Sequence, residues 1–143
     1  MRLAAVVFGA ALAAQSMSVA SAAVRITGDP GGQIGPYLEN LRALRDSGER
    51  VIIDGPCLSA CTLVLGVIPR DRICVTRRAR LGFHAAWQHG QNGRPVTSQG
   101  GTQLLMAVYP AQVKNWINRR GGLTRQMKIL SGRELASMYP TCQ

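Results

Sequence analysis

Ser59 lies between two cysteines in 55-GPCLSACTLVLG-66, and its surroundings suggest covalent chemistry. It follows the apolar, β-branched run 51-VIID-54 and opens 59-SACTLVLG-66, which reads as a buried helix, so a strand-to-helix turn is expected. A serine there is held at a sheet edge near the positive end of a helix, where the next amide, that of Ala60, can donate to an oxyanion. A second donor requires a close backbone approach, which glycine permits. The turn 28-GDPGG-32 offers Gly31 and Gly32 for it. His84, ending the strand-like 80-RLGFH-84, is the expected base. Each residue also has a plainer reading: Ser59 as a helix N-cap, GDPGG as a tight turn, and His84 as a half-buried histidine beside Phe83 and Trp87. His89 reads as a solvated side chain and as a lesser alternative base.

The elements that must position these groups alternate. Val24–Thr27 reads as a strand. Ile34, Tyr37, Leu38, Leu41 and Leu44 then fall at helical spacing, with Gly48 as the stop. The unit repeats as strand 51–54, turn 55-GPC-57 and helix 59–66. Further strands are expected at 72-RICVT-76 and 80-RLGFH-84. Such alternation predicts a mainly parallel sheet, with reactive groups at the carboxyl ends of its strands. Residues 88–101 read as a polar, mobile loop. A helical hairpin follows, with Leu104, Leu105 and Val108 as one apolar cluster and Pro110 opening a second helix. That helix buries Val113, Trp116 and Ile117 and stops at Gly121-Gly122. Residues 130–142 form one more short helix before Pro140, completing a C-terminal helical segment.

Composition bounds the setting. Residues 1–22 carry an early Arg2, an apolar run from Leu3 to Ala14 and the ending Ala20-Ser21-Ala22, the pattern of a cleaved signal peptide. The apolar run is shorter than the ~20 residues of a membrane span. Residues 23–143 are therefore read as one soluble, periplasmic or secreted domain. Lysine and arginine number 17 against 7 acidic residues, for a net charge of +10. The arginine runs read first as a solvated face, then as a site for an anionic partner such as a lipid headgroup, a wall polymer or an acidic peptide. Nucleic acid is not expected, since no stacking aromatics interleave with the arginines. An even count of 4 cysteines favours cystines, with three possible pairings. The pairing expected is Cys57 with Cys74, tying the serine turn to the next strand, and Cys61 with Cys142, holding the tail. No C-x-x-C pair suggests zinc or a redox motif, so no metal is assigned.

The order of motifs, 29-DPGG-32, then 55-GPCLSACT-62, then 81-LGFH-84, resembles the proteolytic subunit of the Clp protease over about Val24 to Trp87. That family shows S-P-G-G, G-x-x-x-S and a strand ending in M-I-H, and a small exported proteobacterial branch sets its serine in Cys-x-Ser-Ala-Cys. The resemblance implies a ClpP/crotonase-like fold, Ser59 as nucleophile, His84 as general base, and the Gly32 and Ala60 amides as oxyanion donors, with no cofactor. The family places an aspartate shortly before a leucine-serine pair. Here 124-TRQMKI-129 precedes Leu130-Ser131 without a carboxylate, leaving Asp29, Asp54 and Glu134 as substitutes to be tested.

Two functions follow. One is an exported serine peptidase or amidase taking a peptide or other acyl substrate. The other is a catalytically silent binding module that uses the basic surface and the 88–101 segment, and an oligomer is compatible with either. An acyl-CoA enzyme of the crotonase type ranks behind both, because CoA is not expected outside the cytoplasm.

Overall fold

Among the described residues two three-stranded sheets share one core, and the chain first crosses from one to the other at the turn before Ser59. The structure is a computed structural model and describes residues 22–143. The expected signal peptide therefore falls outside the described residues, save for Ala22. The first sheet is parallel, in the order β1 (Ala23–Ile26), β2 (Arg50–Ile53), β4 (Ile73–Val75). Helix α1 (Ile34–Asp46) connects β1 to β2, buries Leu38 and Leu41, and ends before Gly48, which takes the left-handed conformation at φ 79°.

The second sheet is mixed. β3 (Pro56–Leu58) lies parallel to β5 (Arg80–Phe83), and β8 (Lys128–Ser131) lies antiparallel on the other side of β5. A separate antiparallel hairpin joins β6 (Trp87–His89) to β7 (Pro95–Thr97). The expected mainly parallel sheet is thus corrected to small sheets of mixed direction in an α/β fold with five helices among the described residues, the second being the short α2 (Val64–Val67). Two short segments account for the difference. Pro56–Leu58, expected as a turn, pairs as a strand, with Pro56 at its first position where a missing N–H costs least. Lys128–Ser131 is too short for its alternation to stand out beside the helix that follows it.

Residues 88–101, expected as a mobile loop, instead hold the hairpin, its turn closed by Gly90 N–H to the Arg94 carbonyl at 2.8 Å. Helix α3 (Gln99–Val108) then starts at Ser98, whose Oγ accepts from the Gly101 amide as a true N-cap. Leu105 is buried on α3, but Leu104 points outward at 43 % exposure, so the expected apolar cluster narrows.

α4 (Ala111–Arg119) buries Val113, Trp116 and Ile117 as its spacing predicts, and α5 (Gly132–Met138) closes the chain before Pro140. The core gathers Val51, Ile53, Ile73 and Leu81 from both sheets around Phe83, which meets Tyr109 edge-on at 5.3 Å and Trp116 at 5.6 Å. Each such aromatic pair adds about 1 kcal/mol beyond its buried area.

The cystines differ from the expected pairing. Cys57 joins Cys61, and Cys74 joins Cys142. Cys57, on β3, and Cys74, on β4, are each bonded elsewhere, so neither expected bridge forms. The turn after Ser59 folds Cys61 back onto β3. Residues Pro140 and Cys142 hydrogen-bond Val75, carrying the tail to Cys74.

Candidate active site

Parallel pairing of β3 with β5 sets Leu58 opposite Gly82. Ser59 and His84 therefore both emerge just past the carboxyl ends of neighbouring strands. Leu58 still has extended geometry and takes the N-cap position, so the N-cap reading of Ser59 is set aside. Ser59 turns to φ 55°, the only positive φ at a non-glycine among the described residues. A non-glycine residue held there costs on the order of 1–3 kcal/mol and persists only where its surroundings fix it. The fixing groups are visible. The Cys57–Cys61 bridge brackets the turn, and the Thr62 hydroxyl donates to the Ser59 carbonyl at 2.6 Å. The Thr62 proton is thereby used, so Tyr109, whose oxygen is 2.6 Å away, must be the donor to Thr62. Burial pushes the Tyr109 phenol up to about 12, so it keeps its proton to donate.

The glycine turn presses on the same elbow. Gly31 has φ 83°, and a Cβ on it would lie 2.5 Å from the Leu58 carbonyl oxygen and 2.6 Å from the Ser59 Cβ. No other side chain fits. Asp29 shapes the turn: its carboxylate accepts from the Gly31 amide at 2.8 Å and from the Tyr37 hydroxyl, and its backbone bridges to Cys57. Desolvation and then the Asp29 contact push the Tyr37 phenol up to about 12.

With the Gly31 amide engaged by Asp29, the Gly32 amide has no acceptor among the described residues. Ala60 is the second residue of the 3₁₀ turn Ser59–Leu63, where amides have no partner within the turn. Gly32, Ser59, Ala60 and His84 line one cavity of ≈ 600 Å³, together with Ser98, Gly101 and Leu105 from α3 and its cap. His89 lines it too while staying exposed, as expected of a solvated side chain. Its Nδ1 lies 3.2 Å from the Gly93 carbonyl, and Trp87 stands edge-on to it at 5.4 Å.

His84 is half-buried, and its Nδ1 lies 2.8 Å from the Ala85 carbonyl oxygen. A carbonyl only accepts, so Nδ1 carries the proton and the neutral ring keeps its lone pair on Nε2. No hydrogen bond joins His84 to Ser59 among the described residues. None of the three carboxylates considered as the orienting group reaches His84. Asp29 is held in its own turn. Asp54 is buried and bound by Arg78, by Thr76 at 2.7 Å and by Arg25 at 2.8 Å, which hold its carboxyl well below the usual range. Glu134 accepts both contacts of the Arg120 guanidinium at 2.8 Å.

Sequence reasoning missed Thr62, Tyr109 and Tyr37. Thr62 sits inside the quoted motif, but its partner is forty-seven positions away and only the fold brings them together. Among the described residues no group of three or more His, Cys, Asp or Glu side chains is placed to hold a metal ion, and no helix is long and apolar enough to cross a membrane.

No protein-family model matches the chain, and no curated protein matches it. Among solved structures, a mutant ClpP1 from Listeria monocytogenes is similar with a TM-score of 0.47 at 12% identity, covering 85% of this chain and 72% of that one.

Proposed function

We propose that the chain is an exported serine hydrolase of the ClpP/crotonase-like class, a peptidase or amidase whose mature form begins at Ala23. Ser59 is the nucleophile, His84 the general base, and the Gly32 and Ala60 amides the oxyanion donors. The observation that carries this reading is the positive φ of Ser59, held by Gly31 on one side and by Thr62 and the Cys57–Cys61 bridge on the other. A purely structural turn at this place has no need of a non-glycine residue in that conformation. Two cystines suit an oxidising compartment.

The reaction follows from the groups in place. As substrate enters, the Ser59 hydroxyl closes on Nε2 of His84, a contact that tightens in the bound complex. The proton passes from Oγ to Nε2 as the Oγ–carbon bond forms. The carbonyl oxygen becomes an oxyanion facing the Gly32 and Ala60 amides, each such donor contributing roughly 10²–10³ in turnover. Collapse of the intermediate breaks the bond to the leaving amine, which takes the proton from Nε2. Water then repeats the sequence and releases the acid and free Ser59. The Ala85 carbonyl fixes the histidine tautomer but carries no full charge. The imidazolium is thus less stabilised than in a complete triad.

The second reading, a binding module with a silent site, is favoured by one observation: among the described residues no carboxylate hydrogen-bonds His84. Burst kinetics with p-nitrophenyl acetate separate the two. The hydrolase releases close to one equivalent of p-nitrophenol in a first phase, absent in Ser59→Ala and His84→Ala. A binding module releases none above the rate of those variants.

A further inference from the structure

His84 also lines a second cavity, of ≈ 420 Å³, on the side that faces the 124–127 segment. Its other walls are Ala85, Trp87, His89, Pro95, Met127 and Arg125. Trp87 and Met127 are large apolar side chains left 56 % and 38 % exposed. Arg125 is the only permanently charged group of the lining and forms no ion pair among the described residues. The segment that carries it is pinned beside His84 by the Ala85 amide, which donates to the Thr124 carbonyl at 2.7 Å.

We propose that this cavity is the subsite for an apolar substrate group ending in a carboxylate, with Arg125 as its anion-binding residue. A guanidinium can bind both oxygens of a carboxylate at once, while the apolar lining takes the rest of the ligand. The surplus of basic residues over the whole chain draws anions in the same direction. Acidic substrates are favoured in binding. The place of this subsite in a reaction rests on the Ser59–His84 reading; the binding itself does not.

The test uses 3-phenylpropanoate and its neutral amide as probes, with Trp87 emission as the readout, because Trp116 is fully buried and unaffected. Titrations are run on Ser59→Ala as well as wild type, so that binding is measured apart from reaction. The carboxylate is expected to give a saturable change at about tenfold lower concentration than the amide. Arg125→Gln abolishes that difference, and Arg125→Lys keeps part of it. Equal binding of the two probes, a preference that survives Arg125→Gln, or no saturable response overturns the subsite. If the probes behave as expected while Ser59 proves unreactive, the subsite stands and the hydrolase reading falls; the reverse pattern separates them the other way.

Discussion

Thr62 donates its hydroxyl to the Ser59 carbonyl at 2.6 Å, and Tyr109, at the end of α3, in turn donates to Thr62. The conformation of Ser59 is therefore coupled to the packing of a helix far along the chain. Tyr109→Phe keeps the edge-on contact with Phe83 but removes the donor. It is expected to cost about 1 kcal/mol in denaturant unfolding. Reactivity at Ser59 should fall with it, since the carbonyl that sets the turn is held less firmly.

Gly31→Ala places a methyl group against Leu58 and Ser59 at a positive φ. A loss of about 1–3 kcal/mol in thermal unfolding is expected, together with loss of the elbow geometry. Gly100→Ala is the matched control. That glycine lies in α3 with open space around its missing Cβ, so a gain of up to about 0.5 kcal/mol is expected.

The two cystines should separate stability from reactivity. Cys74–Cys142 closes a long loop, at a sequence separation of 68, and removing both cysteines as alanines is expected to cost about 4 kcal/mol in denaturant unfolding. Cys57–Cys61 closes a separation of only 4, so the bridge restricts the unfolded chain less, by about 2 kcal/mol. Its double alanine variant should lose less stability than the Cys74–Cys142 variant yet react slowly at Ser59.

Acid stability should report Asp54. Arg78, then Thr76 and Arg25, hold its carboxyl below its unfolded value near 4, so the folded state favours the charged form. That contribution is complete above about pH 5 and is lost as pH falls through and below 4. Asp54→Asn is expected to unfold more easily at pH 7 and to show a flatter decline of stability between pH 5 and pH 2, followed by circular dichroism.

Local patterns made α1, α4 and the β2–Ser59 turn legible in the sequence. Leu38, Leu41, Val113, Trp116 and Ile117 repeat at helical spacing, and each is buried where that spacing places it. The second sheet was not legible, because Pro56–Leu58 and Lys128–Ser131 are too short to alternate visibly and gain their strand character from pairing with β5. The cystine pairing escaped for a related reason. It depends on which sheet each cysteine joins, and nothing local to Cys57 reports that the chain changes sheets at Gly55. That glycine packs so closely on Thr27 that an added Cβ would lie 2.0 Å from its carbonyl oxygen. Gly32, Ser59, Ala60 and His84, read from the ordered motifs, do line one cavity. The Tyr109–Thr62 support behind them needed the fold.

The central claim is that Ser59 is a nucleophile, and a fluorophosphonate tests it most directly. After incubation with the purified mature protein, peptide mapping by mass spectrometry should place one phosphonyl adduct on Ser59. Labelling should vanish in Ser59→Ala, be strongly suppressed in His84→Ala and persist in His89→Ala. No adduct on Ser59 under conditions that label a known serine hydrolase, with the fold intact by circular dichroism, would contradict the account.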